Sequence, residues 1–382
     1  MARTKVERNI SYDDERKKYY VNLEFGRDPE TGKQIKRTKT FSKVTEARAA
    51  LRKHETERDQ GRTVIPVQIT VSQWLNDWLE TVIKPNKADT TVYAYRHIMD
   101  HIVSVLGDIP LQKLTPGQIQ RYYAQQMSNG LSSNTVRKHH DLLNHALKVA
   151  VVQDVLAVNP AVKVTPPKFT KKEIHFYSPE KLKLLMSLAE GDRIEILIKL
   201  AAYLGLRREE ILGLTWDNVD LDNRLIHIRQ VRTAAGSMIV EKDPKTATSA
   251  RDLYIPDDVV IALQRERERQ EHYKEALGSE YQDLGYVFCH ENGRPFRPNY
   301  VSDLFSKFIK DHELPYITLH GLRHSFATMA NSLGIPMYDI GKALGHSTPA
   351  TTSKVYTHLL EPTHEGTMKK IAEALNSKET GQ

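Results

Sequence analysis

Residues 19–25, Tyr-Tyr-Val-Asn-Leu-Glu-Phe, and residues 35–41, Ile-Lys-Arg-Thr-Lys-Thr-Phe, both alternate with a period of two, and Asp28-Pro29-Glu30-Thr31-Gly32-Lys33 between them is turn chemistry. The pattern predicts a β-hairpin whose second strand is basic through Lys36, Arg37 and Lys39. Thr45-Glu46-Ala47-Arg48 then opens a helix that runs to about Gln60, where Gly61 stops it. From about Ile69 the period changes to three and four. Helices are expected to start near Ser72, Asp89, Thr115 and Ser132, each at a capping residue, making an all-helical unit over residues 69–164. Trp74, Trp78, Tyr93 and Tyr95 fall at helical spacing and are expected in its core. Asn159-Pro160 and Thr165-Pro166-Pro167-Lys168 read as an extended linker, ending near residue 172, because paired prolines favour a stiff backbone. A hinge there would let the units on either side close towards each other.

The remaining residues, 173–382, mix the two periods. Ser178-Pro179-Glu180 caps a helix, and Ile194 through Leu204 is an apolar helix ended by Gly205. Leu225–Val231 is expected to be one strand and Asp252–Pro256 another, with a loop carrying Lys242 and Lys245 between them. A short helix from Pro336 precedes Leu344-Gly345-His346, and Met368–Leu375 shows helical apolar spacing near the end of the chain, predicting a tail helix over about 367–376.

Composition narrows the class. A chain of 382 residues is too long for one ordinary core and predicts two or three domains, and a mean hydropathy of −0.52 is that of a soluble protein. The single cysteine, Cys289, excludes an intrachain disulfide framework and zinc-finger spacing. With no membrane-spanning apolar run and no signal-peptide pattern, a reducing cytoplasm is the expected compartment. Charge matters through its placement: residues 1–65 hold 17 Lys and Arg against 11 Asp and Glu, six of the seven net positive charges. A basic segment of this kind neutralises phosphates and releases counterions, which points to nucleic acid.

The candidate chemistry lies in the second half. Arg207 follows the Gly205 turn, and Glu210, one helical turn on, is spaced to hold it as an ion pair. His320-Gly321-Leu322-Arg323 puts an imidazole and a guanidinium three residues apart at a helix start, on one side. His346 and Tyr356 follow. Two guanidiniums can clamp the non-bridging oxygens of a phosphodiester with forked hydrogen bonds while imidazoles handle protons and a phenol supplies the nucleophile, with no metal ion required. His320 and His324, four apart, have the spacing of a metal pair, but no carboxylate of the usual zinc pattern accompanies them and Arg323 stands between them. No metal and no cofactor are expected.

The order Arg207, Lys245, His320-x-x-Arg323, His346, Tyr356 resembles the tyrosine recombinase (integrase) family. The resemblance implies a small basic sheet plus helix at residues 1–65 as an arm-type DNA-binding domain, the helical unit as a core-binding domain, and a mainly helical α+β catalytic domain from 173. It implies that Tyr356 is the nucleophile, that Arg207 and Arg323 bind the transition state, and that His320 and His346 assist them. It places the catalytic lysine on the 229–252 hairpin, where Lys245 in Pro-Lys-Thr matches and Lys242 is the rival. Members often carry Asp where Gly321 stands here, so a supporting contact is expected to be missing. Lys36, Arg37 and Lys39 on the front sheet, and Arg96, Arg121, Arg137 and Lys138 on the helical unit, are the candidate DNA contacts.

The expected activity is site-specific recombination for a mobile element through a 3'-phosphotyrosyl intermediate and a Holliday junction. The partners implied are double-stranded attachment sites, a homotetramer on DNA, and a host bending factor or excision factor, with no membrane. Two alternatives stay open at this point. A type IB topoisomerase uses the same linkage on one strand, and a regulator could keep the fold without catalysis.

Overall fold

The computed structural model describes residues 3–27, 32–60, 64–171, 173–243 and 249–345. Lys245, His346, Tyr356 and the expected tail helix therefore lie outside the described residues. The chain divides into two compact units, Met1–Lys171 and Lys172–Gln382.

The first unit opens with an antiparallel meander in the order β1 (Thr4–Glu7), β2 (Ile10–Asp13), β3 (Lys18–Arg27), β4 (Gln34–Phe41), followed by helix α1 (Val44–Asp59). The hairpin is present as expected, but β1 and β2 extend it to four strands. Val21 and Leu23 of β3 are buried with Ile10 and Ala47 of α1, so one face of the sheet is its core. Directly paired residues share a face, and β3 pairs Val21 with Lys39, Leu23 with Arg37 and Glu24 with Lys36. The three basic residues of β4 are exposed, but they divide between the two faces: Lys36 stands with Glu24, its ion-pair partner at 3.3 Å, and Arg37 and Lys39 lie at the edge of the other.

The helical part of this unit runs α2 (Val71–Trp78), α3 (Asp89–Leu106), α4 (Pro116–Ser128) and α5 (Ser133–Val152). Two of the four expected caps are in place, whereas α3 starts at Asp89 behind Ala88 with no side-chain cap. Thr115 accepts from the backbone N–H of Gln118 and Ser132 from that of Thr135, and α2 is capped by Thr70, two residues before the expected start. Trp74 and Trp78 are buried, with Tyr95 stacked on Trp78, whereas Tyr93 is exposed and its ring rests edge-on against His97. Tyr93 belongs to the outer face of α3 and not to the core, because it follows Val92 by one residue, about 100° round the helix from the buried stripe of Val92, Met99 and Ile102. The expected extended linker is not extended at its start: Asn159 caps a 3-10 turn, Pro160–Lys163, whose Pro160 and Ala161 are buried. Beyond Val164 the chain is fastened to the helices, with Gln120 and Asn134 accepting from the backbone of Thr165 and Thr170 and Arg137 donating to the Pro167 carbonyl at 3.1 Å.

The second unit is built on α7 (Glu195–Leu204), apolar on nearly every side and packed against α11 (Leu319–Ser332) and α9 (Asp257–Leu277). α6 (Pro179–Leu188) precedes it, capped by Ser178, and the short α8 (Arg208–Gly213) follows. Three strands, β5 (Val219–Asp220), β6 (Leu225–Ile228) and β9 (Arg251–Tyr254), form one antiparallel sheet, and β7 (Val231–Ala235) pairs with β8 (Met238–Lys242) as a separate hairpin. The single strand expected over 225–231 is thus broken at Arg229-Gln230, where the chain passes from one sheet to the other. α10 (Pro298–Asp311), α11 and α12 (Met337–Leu344) complete the unit. Among the described residues no helix is long and apolar enough to cross a membrane.

Candidate active site

Gly205 ends α7 with φ at +61°, and a Cβ there would stand 2.6 Å from Leu344 and 2.8 Å from Phe326. Only glycine allows this left-handed stop at so close an approach, and the turn sends Arg207 to the N-cap of α8. Glu210, 1% exposed, accepts from the Arg207 backbone N–H at 2.9 Å and from Arg207 Nη1 at 2.7 Å. The expected Arg207–Glu210 pair is therefore present, with Arg207 partly exposed and its carboxylate buried.

α11 supplies the second pair. Thr318 caps it by accepting from Gly321 N–H at 3.1 Å. Arg323, 1% exposed, reaches back to the turn and donates from Nη1 to the Gly205 carbonyl and from Nη2 to the Leu344 carbonyl, both at 2.7 Å. Arg207 donates from Nη2 to the carbonyl of the next residue, Gly345, at 3.3 Å. Two arginines that are 116 positions apart in sequence thus meet at one helix end, directly before His346.

His320 is exposed and helps line both clefts beside this cluster. One, of about 520 Å³, is lined by Arg207, Arg208, Ser302, Tyr316, Thr318 and His320. The other, of about 470 Å³, is lined by His175, Tyr316, His320 and His324, among others. Crowding by the protein, and after it the charges of Arg323 and Arg207, hold the His320 pKa below the usual imidazole value. The rings of His320 and His324 meet edge to face at 4.6 Å, and burial, then His320 and Arg323, depress His324 to about 4. No group of three potential metal ligands occurs among the described residues.

Gly321 has a steric explanation. A Cβ at this position would lie 2.5 Å from Ile317 and 2.8 Å from the His175 carbonyl, so the segment before Tyr177 packs where a side chain would stand. Ser325 secures that packing, donating to the Gly321 carbonyl at 3.0 Å and accepting from the Tyr177 N–H at 2.8 Å.

Arg251, at the head of β9, is a residue that sequence reasoning missed. Its side chain is 8% exposed and forks onto Glu210, Nη1 to Oε1 at 3.1 Å and Nη2 to Oε2 at 3.0 Å. Burial alone would raise the Glu210 pKa, but Arg251 and then Arg207 outweigh it and keep the carboxyl below its ordinary range. The available signal was alternation: Arg251 shares a strand face with inward-facing Leu253, and a cation on such a face needs a buried carboxylate.

The remaining candidates sit on other elements. Lys242 ends β8, opposite Val231. Arg121 and Lys138 are exposed on α4 and α5, and Arg96 pairs with Glu80 at 2.5 Å. Arg137 is engaged by the Pro167 carbonyl.

The chain is similar to known proteins along most of its length. The profile described as Phage integrase family matches residues 176–362, and that described as Phage integrase, N-terminal SAM-like domain, matches residues 70–144. A protein of Caldanaerobacter subterraneus subsp. tengcongensis named Tyrosine recombinase XerC-like is 29% identical over 367 residues, covering 90% of this chain and 93% of that protein. The ICEBs1 integrase of Bacillus subtilis is 29% identical over 365 residues, covering 94% and 96%. Among solved structures, the Tn1549 transposon integrase in complex with transposon right end DNA superposes with a TM-score of 0.68 at 20% identity, covering 80% of this chain and 99% of that one. A lambda integrase dimer bound to a core site superposes with a TM-score of 0.56 at 18% identity, covering 93% and 96%. These likenesses extend the shared fold through both units. The chain belongs to the phage integrase family and is a tyrosine recombinase, an enzyme that breaks and rejoins DNA strands.

Proposed function

We propose that the chain integrates and excises a mobile element by cutting and resealing double-stranded DNA at attachment sites, with Tyr356 as nucleophile. The observation that carries this reading is the convergence of Arg207 and Arg323 on the residues immediately before His346, with His320 beside them. Two guanidiniums held at one helix end suit a phosphoryl group whose charge grows in the transition state. The Tyr356 oxygen attacks phosphorus in line, forming a 3'-phosphotyrosyl bond as the bond to the 5'-oxygen breaks. His320 accepts the phenolic proton, and its depressed pKa suits it to do so as a neutral base at pH 7. Lys245 gives a proton to the departing 5'-oxygen, and His346 donates to a non-bridging oxygen. The phosphodiester energy stays in the covalent link, so the 5'-hydroxyl of a partner strand reseals it without ATP.

The rest of the chain is read around that step. Residues 1–65 bind arm-type sites, residues 69–164 grip the core site, and the catalytic domain spans 173–382. Four copies work together on a Holliday junction, with the segment at 367–376 docking on a neighbouring subunit. A lambda integrase tetramer bound to a Holliday junction is among the solved structures of similar fold, and relatives of this chain include the ICEBs1 integrase and the transposase from transposon Tn916.

The test is a suicide substrate that loses a short strand after cleavage. Wild-type protein should become covalently attached to it, and Tyr356→Phe should bind the DNA equally well without attachment. An adduct that survives denaturation in the Tyr356→Phe protein would assign the nucleophile elsewhere. Exchange of strands between two attachment sites in one reaction then separates recombination from simple nicking and resealing.

A further inference from the structure

Three arginines end on three consecutive carbonyls. Arg251 Nε donates to Ala343 at 2.7 Å, Arg323 Nη2 to Leu344 at 2.7 Å, and Arg207 Nη2 to Gly345 at 3.3 Å. The last carbonyls of a helix lack partners within it and carry the negative end of its dipole, so the end of α12 is a natural seat for guanidinium groups. Arg207 and Arg323 have roles in the proposed chemistry. Arg251 has none so far.

Its bonds reach three separate parts of the unit. The fork onto both oxygens of Glu210 ties it to α8, the bond to Ala343 ties it to α12, and Nη1 also donates to its own chain at the Ser249 carbonyl, 3.0 Å away. Glu210 in turn holds Arg207 by its backbone N–H and by Nη1. With Arg251 absent, the Glu210 carboxylate would keep its bonds to Arg207 but lose the anchor that fixes its plane. The trio of two guanidiniums and one carboxylate also retains one net positive charge for an incoming phosphate. Gly345 shows that the chain makes room for this arrangement: its φ is +65°, and a Cβ there would stand 2.8 Å from Arg251 Nη1.

We propose that Arg251 is a positioning residue for strand cleavage, holding Glu210, and through it Arg207, in register with the end of α12 and the His346 that follows. A lysine could not replace it fully, since a point charge cannot span two carboxylate oxygens and a carbonyl in one plane. Arg251 also opens the strand immediately after the Lys245 loop, so the same guanidinium fixes the downstream base of that loop to the arginine cluster. The inference rests on the reading of Arg207 as a phosphate ligand.

The experiment measures two quantities on the full chain: affinity for a core-site duplex, in the Tyr356→Phe background, and the single-turnover rate of covalent attachment to the suicide substrate at saturating DNA. Arg251→Met should leave affinity within about twofold and slow attachment by about 10- to 100-fold, the size expected when an oriented charged hydrogen bond is lost. Arg251→Lys should recover part of that rate. Because Arg251 acts through Glu210, adding Glu210→Gln to Arg251→Met should slow the reaction little further, whereas independent residues would give multiplicative losses. Wild-type attachment rates in the Arg251 variants, a loss confined to affinity, or multiplicative losses would each overturn the proposal. Should Arg251→Met unfold at the assay temperature, Arg251→Lys decides by the same criteria. The outcomes also separate the two readings: no attachment by the wild type removes the phosphate-ligand reading itself, while full attachment by wild type and Arg251 variants alike, abolished by Tyr356→Phe, removes only this one.

Discussion

Arg323 donates from Nη1 to the carbonyl oxygen of Gly205 at 2.7 Å, which fastens the buried arginine of α11 to the turn that launches Arg207. The two arginines are thereby held by one another's scaffolding. Arg323 depends on the Gly205 and Leu344 carbonyls, and Arg207 takes its position from the turn and from Glu210. Preorganisation of this kind is what lets fixed charges stabilise a transition state without rearranging during the reaction.

The two arginines should therefore fail differently when removed. Arg207→Ala should lower the rate of covalent attachment by about 10²- to 10³-fold, the usual loss for one transition-state donor, with a small change in stability because Arg207 is partly exposed. Arg323→Ala should lose the same activity and also unfold more easily, since it leaves two buried carbonyls unpaired at about 1–3 kcal/mol each. Denaturant unfolding of both variants beside single-turnover kinetics would show it. Equal stability of the two proteins would mean that Arg323 is not a structural strut.

Gly205→Ala tests the turn itself. The alanine must adopt a left-handed conformation costing about 1–2 kcal/mol, and its methyl group must displace Leu344 and Phe326 at about 1–3 kcal/mol more. Leu344 is the residue whose carbonyl holds Arg323, so displacement should reach the site. The variant should unfold at lower denaturant and attach to DNA more slowly. A variant of normal stability and rate would show that the α7 stop is not what aims Arg207.

Much of this arrangement is legible in the sequence because short-range physics controls it. Thr115, Ser132 and Ser178 mark their helices by capping, the Gly205 stop follows an apolar run, and His320-x-x-Arg323 sits on a single helical turn. Longer-range features were hidden. β1 and β2 carry few apolar residues, and they are strands because β3 offers a paired edge to β2 and β2 in turn offers one to β1. The run 225–231 looks like one strand, yet Arg229-Gln230 hands the chain from one sheet to another. Arg251 looks like a surface charge until α8 and α12 bring Glu210 and the Ala343 carbonyl to it. Lys245, His346 and Tyr356 fall outside the described residues, and their roles rest on sequence order.

Histidine protonation should govern both stability and activity as pH falls below neutrality. His139, buried beside His101 and bonded to Tyr122, and His324 are both depressed to about 4, against an unfolded value near 6.5. The folded protein binds fewer protons than the unfolded chain between these values, so stability should be greatest above about pH 6.5 and fall as pH drops towards 4. His320 is also depressed, so more of it stays neutral at pH 6.5 than of an ordinary imidazole. The acid limb of attachment should accordingly be centred below the pH of about 6.5 at which an ordinary imidazole base loses half its activity. An acid limb centred at or above pH 6.5, abolished by His320→Asn, would show that the cleft does not depress His320.

The front sheet should be separable from cleavage. Residues 1–65 carry six of the seven net positive charges, and Ile10, Val21, Leu23 and Ala47 give the sheet and α1 a core of their own. Such a segment can fold as a unit and add phosphate contacts without supplying any group to the site. A chain beginning near Ile69 should attach to a core-site suicide substrate at close to the full-length rate. It should bind DNA that includes distant arm sites more weakly, with a shallower dependence of affinity on salt, because fewer counterions are released. Binding titrations at several salt concentrations on core-only and arm-containing duplexes measure both effects. If the shortened protein binds the arm-containing DNA as tightly as the full chain, with the same salt slope, the basic sheet has another task, and the division of Lys36 from Arg37 and Lys39 between its two faces would be the first place to look for it.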